Sequence, residues 1–498
     1  MYSLLSTDQY FIYKRCFWAV SLVLTLFMSF ILTLFLYNRF ADMPTRIAIE
    51  NQYAPIRNVS FPAITVCSPN QVTLSAVKHL ERTLVDGNMT IDMKNFLPRL
   101  LGFYELFGNN NTQELIKFQN LLSLNRYNAL QVLSLLPQRC DDFLRLCYVG
   151  GHRYPNCKGL FRPILTKHGM CCIFNSVYQY DDKSFRNERV SHFVPHKAAT
   201  GGIFDGLTVV TDYDPASALT GTLLIAGAIR TMFTASHEFP ADDETSLVHA
   251  YSESFHSIHA TYTYCSEDVI ALPYGSRQCY FEDERYLPHF GRYHNSDCDL
   301  LCVVHSIERL CRCTMPYLPY VRLSRACNVS NIDCIVQANK DLNKWHNTET
   351  CVCLRDCVSM RYQVDVTIGN LMALPHMIHN PYSGLQFNKS TSALNFFCNT
   401  VHVTQKQETV TSLITISSNL GGVFGLCVGC SMISVLEIIF YTYCAIRNKI
   451  REHLRGRKNK VDFIPPKSAK KKKMKNFRNF DSKIFNITPI DKEYYLRE

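Results

Sequence analysis

Polar and small residues stand in a run that is otherwise fit for lipid. Residues 417–444, "SSNLGGVFGLCVGCSMISVLEIIFYTYC", carry Asn419, Ser431, Ser434 and Glu437 together with Gly421, Gly425 and Gly429. The three glycines recur every fourth residue, so a helix holds them on one face, where missing side chains let membrane helices approach closely. Asn419, Ser431, Ser434 and Glu437 would each cost free energy facing hydrocarbon and so should face protein or water. The chemistry open to this set is helix packing and the lining of a polar path. For Glu437 alone, a carboxylate paired inside a bundle is the plainer alternative.

Sulfur makes a second constellation. The chain of 498 residues holds 22 cysteines, of which Cys16, Cys427, Cys430 and Cys444 lie in or beside apolar runs; the other eighteen all fall between Cys67 and Cys398. An even number confined to one interval argues for a disulfide-bonded domain in an oxidising compartment. Ten of them follow in the order Cys279, Cys298, Cys302, Cys311, Cys313, Cys327, Cys334, Cys351, Cys353 and Cys357. Structural zinc prefers matched C-x2-4-C pairs, often with a histidine pair, whereas these spacings are C-x3-C, C-x-C and C-x-C. Helical hairpins closed by disulfide rungs fit better, each rung worth ~2–4 kcal/mol. Residue spacing assigns no partners to Cys67, Cys140, Cys147, Cys157, Cys171, Cys172, Cys265 and Cys398. Five N-x-S/T acceptors for glycosylation, at Asn58, Asn88, Asn110, Asn328 and Asn388, share the interval, and only Asn486 lies outside it.

Two apolar runs must position these groups. "FWAVSLVLTLFMSFILTLFLY", Phe17 to Tyr37, is 21 residues without a charge, enough to cross a hydrocarbon core of about 30 Å, and it lacks the cleavage pattern of a secretory signal. A second charge-free run extends from Thr409 to Leu436. The expected organisation is a short cytosolic N-terminus over 1–16, a transmembrane helix over 17–37 and an extracellular cysteine-rich domain over 38–412. A second transmembrane helix with the polar set over 413–444 and a basic cytosolic tail over 445–498 complete it. The tail holds 17 Lys and Arg against 6 Asp and Glu while the whole chain is net +10, so the remainder is nearly neutral. The positive-inside rule then puts both termini in the cytosol. The run "KSAKKKKMKNFR" suits a membrane flank, where each basic residue near anionic lipid gains about 1 kcal/mol. Nucleic acid would instead need basic residues spread over a folded face, and no such partner is expected. Within the large loop, "NTQELIKFQNLLSLNRYNALQVLSLL" reads as helices of a peripheral layer, and "SVYQYDD" and "ASALTGTLLIAGAIR" as strand-like or mixed. The tail from Asp462 on reads as flexible.

Several stretches together resemble the degenerin and epithelial sodium channel superfamily over roughly Arg15 to Arg447. They are "FPAITVCSPN", "GMCCIFN" at Gly169–Asn175, the ten-cysteine order, "CVCLRDC" at Cys351–Cys357, and "NLGGVFGLCVGCSMISVLEIIFY". The cysteine-rich segment looks closest to the insect pickpocket branch. The resemblance implies a membrane protein with two transmembrane helices flanking a large disulfide-rich α+β extracellular domain, a β-sheet palm with helical thumb, finger and knuckle layers, in a trimeric channel architecture. It implies pairing of Cys279 with Cys357, Cys298 with Cys353, Cys302 with Cys351, Cys311 with Cys334 and Cys313 with Cys327, a nested order stepping along two antiparallel elements.

The same resemblance makes Gly429, Cys430 and Ser431 a selectivity filter, extended so that carbonyls and small side chains replace part of an ion's hydration shell. Cys430 is then the variable filler. Ser418 falls on the degenerin position, where small residues permit closure and bulky ones hold the pore open; Asn419, Gly421 and Gly422 belong to the outer pore and gate, Ser434 and Glu437 to the inner pore. The implied function is a subunit of a voltage-insensitive, amiloride-sensitive, sodium-permeable cation channel at the plasma membrane. It is gated through its extracellular domain by a chemical, osmotic or mechanical stimulus, as a homo- or hetero-trimer with related subunits. No metal or cofactor is implied beyond permeant Na+. The family's His-Gly dipeptide before the first span has no counterpart in "MYSLLSTDQYFIYKR", so conduction alone and an accessory role in a mixed trimer both stay open.

An ectoenzyme has no support, since neither HExxH nor GxSxG occurs, and His256, His289 and His305 read as surface or packing residues. A non-conducting binding receptor would share the disulfides and glycans. It would not need Gly421, Gly425, Gly429, Ser431 and Glu437 in one span.

Overall fold

The computed structural model describes residues 2–458 except 43, 85–95, 105–111, 156, 182–185, 191, 199, 241–243, 323, 345–351, 377, 379, 383 and 430. It divides into two units, Ile31–Ser418, and Met1–Phe30 with Asn419–Glu498.

An eight-stranded sheet organises the larger unit. Its spatial order is Thr45–Pro55, His402–Val410, Ser252–Cys265, Thr391–Cys398, Leu207–Asp212, Leu144–Val149 and His152–Pro155, with Ser359–Asn370 also paired to Ser252–Cys265. Along Ser252–Ile258 buried and half-buried residues alternate, as a strand with one face in the core requires. A second, five-stranded sheet runs Thr245–Val248, Ile229–Thr234, Ala63–Cys67, Gly169–Phe174 and Phe161–Thr166. Strands Ala63–Cys67 and Gly169–Phe174 are buried along their whole length, which explains their near-continuous apolar sequence. Between the sheets lies a core of Ile64, Val66, Phe174, Ile229 and Phe233 against Val209, Ile258, Leu394 and Phe396. Each such side chain contributes roughly 1.5–3 kcal/mol on burial.

The other face of the second sheet carries helices. Thr112–Leu124 and Ala129–Leu135 fall where the sequence places a helical layer, and they bury Leu115, Phe118, Leu122, Leu130 and Leu133. Asn128 separates them by a capping box: its side chain accepts from Gln131 N at 2.7 Å while Gln131 Oε1 accepts from Asn128 N at 2.9 Å. Helices Asn295–Cys311 and Ile332–Lys344 join the same core through Leu301, Val304, Ile307 and Ile335. Tyr178–Asp181 is the expected strand. The segment 216–230 is the mixed alternative: it forms short 3-10 turns at Pro215–Ser217 and Ile225–Gly227 and enters a strand only at Ile229. Gly221 at φ +81° and Gly227 at φ +82° turn the chain through the left-handed region, which a strand excludes.

In the smaller unit the apolar runs differ from expectation in extent. The first helix is Tyr2–Asp42 rather than 17–37, reaching back through the N-terminal segment. Among the described residues, its Arg15–Asp42 portion is the one helix long and apolar enough to cross a membrane. The second run is two helices, Leu413–Val428 and Met432–Lys458, on either side of the 429–431 stretch that the resemblance expects to be extended, and the latter continues past Cys444 into the basic segment. Large apolar side chains such as Phe17, Trp18, Leu22, Ile438 and Phe440 stand exposed on these helices.

Candidate functional site

The split in the second apolar run is encoded by three residues. Gly429 closes the Leu413–Val428 helix, its N–H donating to Gly425 O at 3.1 Å, and it sits at φ +70°, where only glycine escapes a Cβ penalty. Ser431 opens the next helix: its Oγ accepts from Ser434 N at 3.3 Å, the N-cap hydrogen bond. Ser434 reciprocates, its Oγ accepting from Ser431 N at 3.4 Å and lying 3.3 Å from Ser431 Oγ. Glycine and serine thus act as stop and start signals inside an apolar run. Cys430 lies outside the described residues.

Ser418, Asn419, Gly421, Gly422 and Gly425 are all exposed on the single chain. A Cβ added at Gly421, Gly422 or Gly429 would meet nothing within 4 Å. Glu437 is exposed, and with Ser431 and Ser434 it follows a three-residue spacing that keeps all three on one side of the second helix. Apart from half-buried Ser434, the polar set therefore lies on surface that the described residues do not cover.

Seven disulfides join described cysteines. Four are Cys279–Cys357, Cys298–Cys353, Cys311–Cys334 and Cys313–Cys327. Cys302 is disulfide-bonded too, and Cys351 lies outside the described residues. At the lowest rung the two short strands, Cys279–Tyr280 and Arg355–Asp356, run parallel rather than antiparallel. The remaining three bridges, Cys67–Cys171, Cys140–Cys172 and Cys147–Cys157, have no counterpart in the sequence reading. Successive residues of a strand face opposite ways, so Cys171 meets the helical core and Cys172 the core between the sheets. Cys265 and Cys398 are buried free thiols, which breaks the even-number argument for a fully paired domain. Burial pushes the Cys265 thiol up to about 11 and Cys398 up to about 12, so both stay protonated and inert at neutral pH.

Asn58, Asn328 and Asn388 are exposed, while Asn88, Asn110 and Asn486 lie outside the described residues. His256 is a packing residue, stacked on Phe396 with centroids 4.6 Å apart, and burial lowers its pKa to about 3. His289 bonds Pro319 O at 2.9 Å, and His305 is exposed.

Sequence reasoning missed a buried carboxylate where the sheet meets both connections to the helices. Glu408, fully buried, accepts hydrogen bonds from Thr45 Oγ1, just after the first helix, and from the Arg355 guanidinium; the Cys265 thiol lies 3.8 Å from its other oxygen. Close by, Thr411 N donates to Pro44 O at 2.8 Å. Partners so distant in sequence leave no local signal.

The sequence profile of the family described as "Amiloride-sensitive sodium channel" matches residues 3–441. A "Sodium channel protein Nach" of Drosophila ananassae is 28% identical over 422 residues, covering 82% of this chain and 78% of that one. "Pickpocket protein 28" of Drosophila melanogaster is 24% identical over 499 residues, covering 91% and 78% respectively. "Acid-sensing ion channel 4-B" of Danio rerio is 23% identical over 476 residues, covering 91% and 75%. With a disulfide-rich, β-rich extracellular domain, a long apolar helix and a profile match along nearly its whole length, the chain belongs to the amiloride-sensitive sodium channel family of membrane ion channels.

Proposed function

We propose that this chain is a subunit of a voltage-insensitive, amiloride-sensitive, sodium-permeable channel of the plasma membrane. It acts as a trimer, crosses the membrane twice with both termini cytosolic, and is gated through its extracellular domain by a sensory stimulus. The observation that supports this reading is the Gly429–Ser431 break, flanked by uncovered polar and glycine positions. Two spans from one chain cannot enclose a water path, so copies must share it. The last carbonyls of a helix lack intrahelical partners and carry the negative end of its dipole. Three Leu413–Val428 helices ending around one axis would ring a cation with such oxygens, and Ser431 adds a hydroxyl to each. Ser434 and Glu437, farther along, give the inner path polar groups and negative charge.

Thr45–Pro55 and His402–Val410, paired in one sheet, continue into the two membrane-directed helices, so movement of that pair reaches both. The test is current recorded from cells expressing the chain alone and with related subunits. A sodium-selective, amiloride-blocked current that is lost or loses selectivity in Gly429→Ala and Ser431→Ala is expected; alanine at φ +70° strains the break by about 1–2 kcal/mol. Absence of current in every pairing, with surface delivery verified, would overturn conduction and favour an accessory subunit or binding receptor.

A further inference from the structure

We propose that Glu238, His294 and Asp356 form a binding site for a divalent cation of the zinc class. The three come from separate parts of the fold. Glu238 follows the strand Ile229–Thr234, His294 is the N-cap residue of the helix Asn295–Cys311, and Asp356 adjoins the Cys279–Cys357 bridge. One ligand atom from each lies within 4.8 Å of the other two, with His294 Nδ1 4.0 Å from Glu238 Oε1.

Several polar atoms around the cluster are buried without hydrogen-bond partners among the described residues. His294 is 6% exposed, and its Nε2 has no hydrogen-bond partner among the described residues; the same holds for Ser296 Oγ and for Oδ2 of Asp297, which is 1% exposed. Such orphans are costly in a folded interior and call for an explanation. Burial, and then the charge of Glu238, raise the Asp297 carboxyl well above the usual carboxylate range, so a further acidic group is crowded against the same place. A cavity of about 260 Å³ adjoins the cluster, lined by Glu238, Asn295, Ser296 and Asp356 along with Glu244 and Arg361. It offers room for water in the remaining coordination position.

The ligand chemistry selects the ion. A histidine ring nitrogen is a common metal ligand. One imidazole with two carboxylates suits zinc, whereas calcium takes six to eight oxygens. Ligand atoms around tetrahedral zinc stand about 3.4 Å apart, so occupancy would draw the three groups together by about 1 Å. That contraction would fasten the segment following the strand Ile229–Thr234 to the start of the Asn295–Cys311 helix. Asp356 already accepts from Asn295 N at 3.0 Å, so it can serve the ion and the helix end together.

The decisive measurement is equilibrium dialysis of the purified full chain against Zn2+ in the presence of excess Ca2+, which needs no ion current. The wild type is expected to hold one tightly bound Zn2+ per chain, Glu238→Gln and His294→Gln to bind at least tenfold more weakly, and His259→Gln, altering a histidine paired with Asp365 elsewhere, to bind as the wild type does. Should His294→Gln fail to elute as folded protein, Glu238→Gln decides alone. No tight Zn2+ in the wild type, displacement by Ca2+, or unchanged affinity in a folded Glu238→Gln would each overturn the proposal.

Discussion

Glu408 shows what one side chain can hold together. Burial by itself pushes its pKa up, but the hydrogen bonds from Arg355 and Thr45 outweigh burial and hold it below the ordinary glutamate range. A depressed folded-state pKa means that the stabilisation is complete above the unfolded value, near about 4.3, and is lost as pH falls through the lower folded value. Thermal unfolding of the purified chain should therefore show stability falling in that acid window. Glu408→Gln should flatten the dependence and cost on the order of 2 kcal/mol at neutral pH; an unchanged profile would remove Glu408 from this role. Ser418, exposed on the Leu413–Val428 helix, belongs to the same scale. Ser418→Tyr is expected to give constitutive current in a conducting complex, since the family resemblance implies a position where a bulky group opposes closure. Silence despite verified surface expression counts against a gate at this position.

Among the elements, the bridged helical hairpin carries the clearest energetic consequence. Cys279–Cys357 spans 78 residues, but the nested Cys298–Cys353 bridge, which spans 55, leaves it a ring of about 23, worth about 3 kcal/mol in the loop-entropy account. Cys279→Ser with Cys357→Ser should therefore lower the unfolding temperature about as much as the same change at Cys313–Cys327, which closes 14 residues. A far larger loss at Cys279–Cys357 would mean that local packing, not loop length, sets the effect. The break in the second run was expected only through the family resemblance, although glycine at a helix end and serine at a helix start are local signals. The short strand after Ile229 was obscured because its apolar approach, 216–228, is a series of glycine turns. Bridges such as Cys140–Cys172 were not legible, since pairing depends on which face of a strand each sulfur occupies. Cys265 and Cys398 escaped for the opposite reason: as buried thiols they pack like small apolar groups, which composition cannot distinguish from paired ones. The Glu238, His294 and Asp356 cluster was hidden because its members are more than fifty residues apart and meet only through the tertiary fold.

For the whole molecule, the uncovered glycine face and the apolar helices argue that one copy is not the working unit. Light scattering of detergent-purified protein is expected to give the mass of three chains, and a mass of one chain would overturn the shared-path reading. A last consequence concerns load. Ser252–Cys265 runs parallel to two consecutive strands, pairing with Thr391–Cys398 through Glu253–Ile258 and with His402–Val410 through Thr261–Cys265. Tension applied along the backbone that leads from Val410 to Leu413 would strain this row of hydrogen bonds in shear, all together, instead of peeling them singly. Slippage would require a register jump that turns buried side chains outward. The row thus behaves as a tie rod, carrying a pull at Val410 to the far end of the row at Ser252.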